Sequence, residues 1–238
     1  MANLPRPFRH VCTLVILGAA VAFASPAFSQ AALPSDPPAD TRPLSPAQIA
    51  LFETPHLRNV SQSGTLGYQV VREGAAGFTD TVAMHVRRVN PDGTKDLSFD
   101  FLTGARRVAY PELDQFRGNP ILMLMLERDV LEMKQTLGLS ATYFRNRIRE
   151  SFVEHATVAE GTFTLGGRAM PARLLTVRPF AGEARLERLP SVQQKTYVFV
   201  LADAVPGMIA QVRIEMPANP AMQVPAFAER ITFTGVAP

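Results

Sequence analysis

Covalent catalysis needs a nucleophile beside a base, and this chain offers few of either. A serine in a strand-to-helix elbow requires glycine two residues to each side. The nearest approach, Gln62-Ser63-Gly64-Thr65, lacks both flanking glycines. The single cysteine, Cys12, lies in an apolar N-terminal run, and downstream of it stand only His56, His85 and His155. None of these has a His-x-His or His-x-x-x-His neighbour of the kind that ligates zinc. No metal, no cofactor and no enzymatic activity are expected from them. His155, at the end of a predicted helix, suits a dipole partner better than a base.

Carboxylates are scattered. Asp96 and Asp100 share the polar face of a predicted strand with Ser98, and alternation with apolar residues accounts for them. Glu127, Asp129 and Glu132 fall on a long predicted helix, where Arg128 and Glu132, four apart, read as a solvated ion pair. Arginines are more suggestive. Arg145 and Arg149 lie one helical turn apart at the edge of an apolar arc formed by Phe144, Ile148, Ser151, Phe152 and His155. Such a pair can take an anionic headgroup or a carboxylate bidentately; the alternative is a solvated face paired with Glu150 and Glu154. Methionine is concentrated at Met123, Met125 and Met133. It suits both irregular core gaps and adaptable apolar pockets. Met123 and Met125 diverge by about 200° on a helix, which argues against a copper site.

The elements that must position these residues follow from periodicity. Ser45-Pro46-Ala47-Gln48 predicts a short helix start, with Ser as N-cap, Pro in the first turn and Gln closing a capping box. It ends near Glu53. Alternation of period two then predicts strands around Leu66–Val70, Val82–Val86 and Leu97–Phe101, with a hairpin turn at Asn90-Pro91-Asp92-Gly93. A short strand is predicted over Arg106–Tyr110. Asn119-Pro120 opens a helix whose Leu122, Leu126, Val130, Met133 and Leu137 recur at three-to-four spacing, and Gly138 stops it. Its opening turns, apolar all round, demand cover on every side. Ser140 caps a second helix ending near His155. Alternation returns in Thr157–Leu165, Ala169–Val177, Thr196–Ala202, Met208–Met216 and Arg230–Gly235, with turns at Gly166-Gly167 and Pro206-Gly207.

Residues 1–29 carry Arg6 and Arg9, an apolar run from Val11 to Ala24 and the small-x-small site Ala27-Phe28-Ser29. These are the three parts of a cleavable secretory signal, and the run falls short of the ~20 residues that span a bilayer. The mature chain is therefore expected in the periplasm or outside the cell, without an integral membrane segment. Cys12 stands at the start of the apolar run rather than after it, so it cannot be an acylated lipoprotein cysteine. Residues 30–46, with proline at 34, 37, 38, 43 and 46, read as an extended linker. Residues 47–238 read as one domain. Of 24 basic and 21 acidic residues the signal removes two arginines, leaving a net charge of +1. That excludes the concentrated basic field nucleic acid requires.

The segment 119–149, NPILMLMLERDVLEMKQTLGLSATYFRNRIR, resembles a family of uncharacterised exported proteobacterial proteins, as does KTYVFVLADAVPG at 195–207. The resemblance implies no activity. The order of elements is similar, as architecture alone, to the curved-sheet-plus-helix layout of periplasmic lipoprotein carriers. The predicted fold is α+β, a curved antiparallel meander sheet packed on two central consecutive helices. The expected function is binding of an apolar, lipid-like or acyl ligand between the Met-rich helix and the sheet. Met123, Met125 and Met133 would line the site, with Arg145 and Arg149 at its mouth. The alternative is a cell-envelope interaction or structural module that binds another protein.

Overall fold

The computed structural model describes residues 43–74, 77–223 and 225–238. Residues 1–29, read above as a secretory signal, and residues 30–42 of the proline-rich stretch lie outside them. Ser45 caps the first helix, α1 (Pro46–Gln48), through a capping box with Gln48, and a π-turn carries the chain on to Glu53. The Ser45 hydroxyl also donates to the carbonyl of Phe152 at 2.7 Å, tying this start to the end of a later helix.

Among the described residues, nine antiparallel strands form one open sheet. In chain order they are β1 (Gly64–Glu73), β2 (Phe78–Val89), β3 (Lys95–Phe101), β4 (Leu113–Phe116), β5 (Thr157–Leu165), β6 (Arg168–Val177), β7 (Thr196–Leu201), β8 (Ile209–Met216) and β9 (Phe227–Ala237). In space the order is β4-β3-β2-β1-β9-β8-β7-β6-β5. Two meanders, β1–β4 and β5–β9, are thus fused where the last strand pairs the first. Alternation decides which side chains face inward. Leu66, Tyr68 and Val70 of β1 lie level with Met84, Val82 and Asp80 of β2, and Tyr68 and Val70 lie level with Phe233 and Ile231 of β9. All are buried.

Between β4 and β5 the chain forms α2 (Ile121–Leu137) and α3 (Ala141–Glu154). Both pack on the inner face of the sheet. Asp129 of α2 meets Tyr197 of β7, and Phe152 of α3 packs on Phe199 of the same strand, ring centroids 5.7 Å apart. Gly138, at φ 71°, ends α2 in the left-handed conformation, and Ser140 caps α3 by accepting from the Tyr143 amide. A fourth helix, α4 (Pro190–Gln193), is a single turn. The α+β class is as the sequence indicated.

Four local expectations are corrected. Residues 106–110 are not a strand: Gly104–Arg106 is a 3₁₀ turn, and Val108 makes one isolated bridge to Phe101. The cause is buried Asp80, whose carboxylate draws in the Thr103 hydroxyl at 2.7 Å and Arg106 Nε at 2.8 Å, wrapping the chain around it. Pairing resumes only at β4. The N-cap of α2 is Pro120 rather than Asn119. Asn119 still accepts from the Ile121 amide, but its side-chain amide donates to Tyr68 Oη and to the Gly207 carbonyl, 51 and 88 residues away in sequence. His155 does not share the buried face of α3; it caps the helix end, exposed beside Glu154. Finally, the apolar opening of α2 is not covered all round, because Met123 remains 52% exposed.

Candidate functional site

Along α2 the buried stripe is Leu122, Met125, Asp129 and Met133, at steps of three or four. Asp129 occupies the middle of an apolar stripe, so helical geometry drives a carboxylate into the interior. It is met there by Lys195 and Tyr197. Lys195 Nζ donates to Asp129 Oδ1 at 2.5 Å, and Tyr197 Oη donates to Oδ2 at 2.6 Å. Burial, and then the neighbouring Asp129 charge, push the Tyr197 phenol well above its ordinary range, so it stays a neutral donor.

One turn on, a second set of charges bridges helix and sheet. Glu132 takes a bidentate pair from Arg72 of β1, and Arg128 pairs with Glu229 of β9. Arg72 Nη1 also lies 3.5 Å from the other oxygen of Glu229. Burial alone would raise the Glu132 carboxyl; the Arg72 guanidinium outweighs it and holds the acid below its ordinary value. Arg128 and Glu132 therefore do not form the solvated intrahelical pair expected of them. Each reaches across to the sheet. The cluster balances: Arg72, Arg128 and Lys195 against Asp129, Glu132 and Glu229. Arg72 and Lys195 also both stand over the Phe227 ring, at 4.6 and 5.5 Å from its centroid.

Beside this cluster the space between α2 and the sheet is hollow. A cavity of about 300 Å³ opens at the C-terminal half of α2. Met133, Leu137, Leu189, Val192, Met216 and Phe227 supply its apolar wall; Arg72, Glu73, Asp129, Glu132 and Lys195 supply its charged side. The N-terminal half of α2 packs into the core on its sheet side. Met125, Ile121 and Leu122 are buried there in the same core as Tyr68, Phe144 and Phe233.

The five residues singled out from sequence fall in three places. Met133 lines the helix–sheet cavity, and Met125 is fully buried in the core. Met123, Arg145 and Arg149 line a different cavity, also about 300 Å³, with Phe52, Ile148 and Phe152. Arg145 and Arg149 are thus not at the mouth of the helix–sheet cavity. Arg145 is already held by Glu127, with Nε–Oε2 at 2.9 Å and Nη2–Oε1 at 2.5 Å. Arg147, not its neighbours, pairs with Glu150, and it reaches Glu183 as well. Arg72, Asp129, Lys195 and Phe227 also line the helix–sheet cavity, although none was among the residues expected there. Only Asp129 carried a signal, its place within an apolar stripe.

One arrangement has the form of a catalytic relay. On the opposite face of the sheet, Thr65 Oγ1 lies 3.0 Å from His85 Nδ1, and His85 Nε2 lies 3.0 Å from Asp100 Oδ2. Register explains it, since Thr65 and His85 are direct cross-strand neighbours. The His85 and Asp100 side chains are 36% and 57% exposed, and none of the three lines a cavity described above. Asp100 is also shared with Arg107. This is a solvated cross-strand ladder. Among the described residues no group of three or more His, Cys, Asp or Glu side chains is placed to hold a metal ion, and no helix is long and apolar enough to cross a membrane.

No protein-family model matches the chain, and no curated protein does. Among solved structures it is similar to the lipoprotein LppX of Mycobacterium tuberculosis, at 9% identity and a TM-score of 0.34, over 81% of this chain and 96% of that one.

Proposed function

We propose that this chain is an exported binding protein, not an enzyme, that holds the apolar part of a small ligand in the cavity between α2 and the β1–β9–β8 side of the sheet. The observation that carries the reading is the cavity itself: about 300 Å³ walled by Met133, Leu137, Val192, Met216 and Phe227. A space of that size lies at the small end of ligand pockets. It fits one short acyl chain rather than a bulky multi-chain lipid. Each methylene removed from water contributes about 0.8 kcal/mol, so eight of them give roughly 6 kcal/mol before the costs of association. Affinity in the micromolar range or weaker follows. The signal read in residues 1–29 supports a periplasmic or secreted location.

The test uses substitutions that fill one cavity at a time. Leu137→Trp fills the helix–sheet cavity and Met123→Trp the outer one, and the chain has no tryptophan of its own to confuse the fluorescence. Binding of an uncharged apolar fluorophore such as N-phenyl-1-naphthylamine should weaken at least tenfold in Leu137→Trp and stay unchanged in Met123→Trp. Absence of binding in the unmodified protein, or the reverse pattern, rejects the reading. The reverse pattern would favour the second reading, an envelope interaction module. In its favour is an apolar surface where Phe52 and Met123 are 44% and 52% exposed, flanked by Arg145 and Arg149.

A further inference from the structure

The charged side of the helix–sheet cavity constrains what the apolar part of the ligand is attached to. We infer that the ligand is an uncharged amphiphile whose polar end presents an oxygen acceptor, an ester or amide carbonyl or a hydroxyl, to Lys195. This rests on the cavity reading above and adds the chemistry of the head.

Two observations meet in it. First, the six charges beside the cavity are complete without a ligand. Three cations, Arg72, Arg128 and Lys195, face three carboxylates, Asp129, Glu132 and Glu229, each within ion-pair distance of a partner. Asp129, Lys195 and Glu229 are at least nine-tenths buried. A carboxylate or phosphate brought into that setting would add an uncompensated charge close to Asp129 and Glu132. A quaternary ammonium would do the same beside Arg72 and Lys195. An unpaired charge taken out of water costs several kcal/mol, enough to cancel the gain from a short chain. A neutral head avoids that cost.

Second, the cluster balances in charge but not in hydrogen bonds. The Lys195 ammonium has three donors. Among the described residues it makes one side-chain hydrogen bond, to Asp129 Oδ1, and its Nζ stands 5.8 and 5.5 Å from the ring centroids of Tyr197 and Phe227. Lys195 lines the cavity at about 5% exposure. Buried donors without acceptors are costly, and a ligand oxygen satisfies one without disturbing the balance. The other charged wall residues are already committed: Arg72 to Glu132 and Glu229, Glu73 to Arg230, and Asp129 to Lys195 and Tyr197.

The experiment compares three heads on one chain: decanoate, decyltrimethylammonium and 1-monodecanoylglycerol, titrated below micellar concentration into the mature protein at neutral pH by calorimetry. The glycerol ester should bind at least tenfold more tightly than either ion. The double substitution Lys195→Met with Asp129→Leu keeps the charges matched and removes the donor; it should lower ester affinity five- to tenfold relative to the N-phenyl-1-naphthylamine affinity of the same variant. Decanoate or decyltrimethylammonium binding as tightly as the ester overturns the neutral head, and unchanged ester affinity in the double variant overturns the role of Lys195. Both leave the cavity reading standing. Failure of all three ligands and of the fluorophore takes down the cavity reading and this inference together.

Discussion

Asp129 shows what a single residue does when periodicity and polarity disagree. Its place between Met125 and Met133 commits it to the interior, and its charge is tolerable there only because Lys195 and Tyr197 both donate to it. Asp129→Ala removes the acceptor for two buried groups at once and leaves an ammonium without a counterion. Truncating one member of a buried pair costs about 3–5 kcal/mol, so the urea midpoint should fall by a corresponding amount. Asp129→Leu with Lys195→Met replaces the pair by apolar volume and should recover most of that loss. A single variant within 1 kcal/mol of the parent would show that water reaches the pair. The conflict was visible in sequence, since a wheel places Asp129 on the apolar stripe. Its partners were not. Lys195 and Tyr197 lie 66 and 68 positions from Asp129, and nothing in a one-dimensional pattern joins them. Arg145 and Arg149 were legible as a pair at an apolar edge, but the edge belongs to the outer cavity, because a wheel gives a helix face and not the element that covers it.

At the scale of elements the sequence was most informative where local chemistry decides. Ser45 and Ser140 act as the caps their types predict, Gly138 stops α2, and the Asn90–Gly93 turn closes β2 onto β3. It failed at 106–110, where a tertiary acceptor, Asp80, overrides alternation. The turn before β8 joins both kinds of cause. Gly207 has φ 75°, and a Cβ there would come within 2.8 Å of Asn119 Nδ2 and 2.9 Å of Leu66 Cδ2. Its carbonyl accepts from Asn119 and its amide donates to Asn59 Oδ1. Gly207→Ala therefore meets backbone strain and a packed neighbour together and should destabilise by about 2–4 kcal/mol. Gly93→Ala is the control. It has a similar φ of 84° but open space around it, so strain alone, about 1 kcal/mol, is expected. Equal denaturation midpoints for the two variants would mean that the Asn119–Gly207 contact does not order the turn.

For the molecule as a whole, alternation told which face of each strand is buried but not which strands are neighbours, and the fold depends on the latter. β9 pairs β1 on one side and β8 on the other, so the last strand joins two meanders that would otherwise each end in an open edge. α2 reinforces the seam from above, with Arg128 reaching Glu229 of β9 and Glu132 reaching Arg72 of β1. A seam made of the first and last strands ties stability to contacts of high sequence separation, which close late and slowly in folding. The two meanders should then unfold together rather than in turn. Tryptophan reporters at Phe78 of β2 and Phe163 of β5 sit on opposite sides of the seam, and Phe78→Trp and Phe163→Trp proteins should show coincident urea transitions. Ile231 of β9 is fully buried between Val70 and Val212. Adding Ile231→Ala should lower both midpoints alike, by about 2–5 kcal/mol, although neither reporter touches it. Transitions that separate, with the Phe163→Trp signal surviving after the Phe78→Trp signal is lost, would mean that β5–β8 hold together without β1. The helix–sheet cavity, which draws its walls from β1, β8 and β9 at once, would then be a feature of an assembled pair of units rather than of a single cooperative fold.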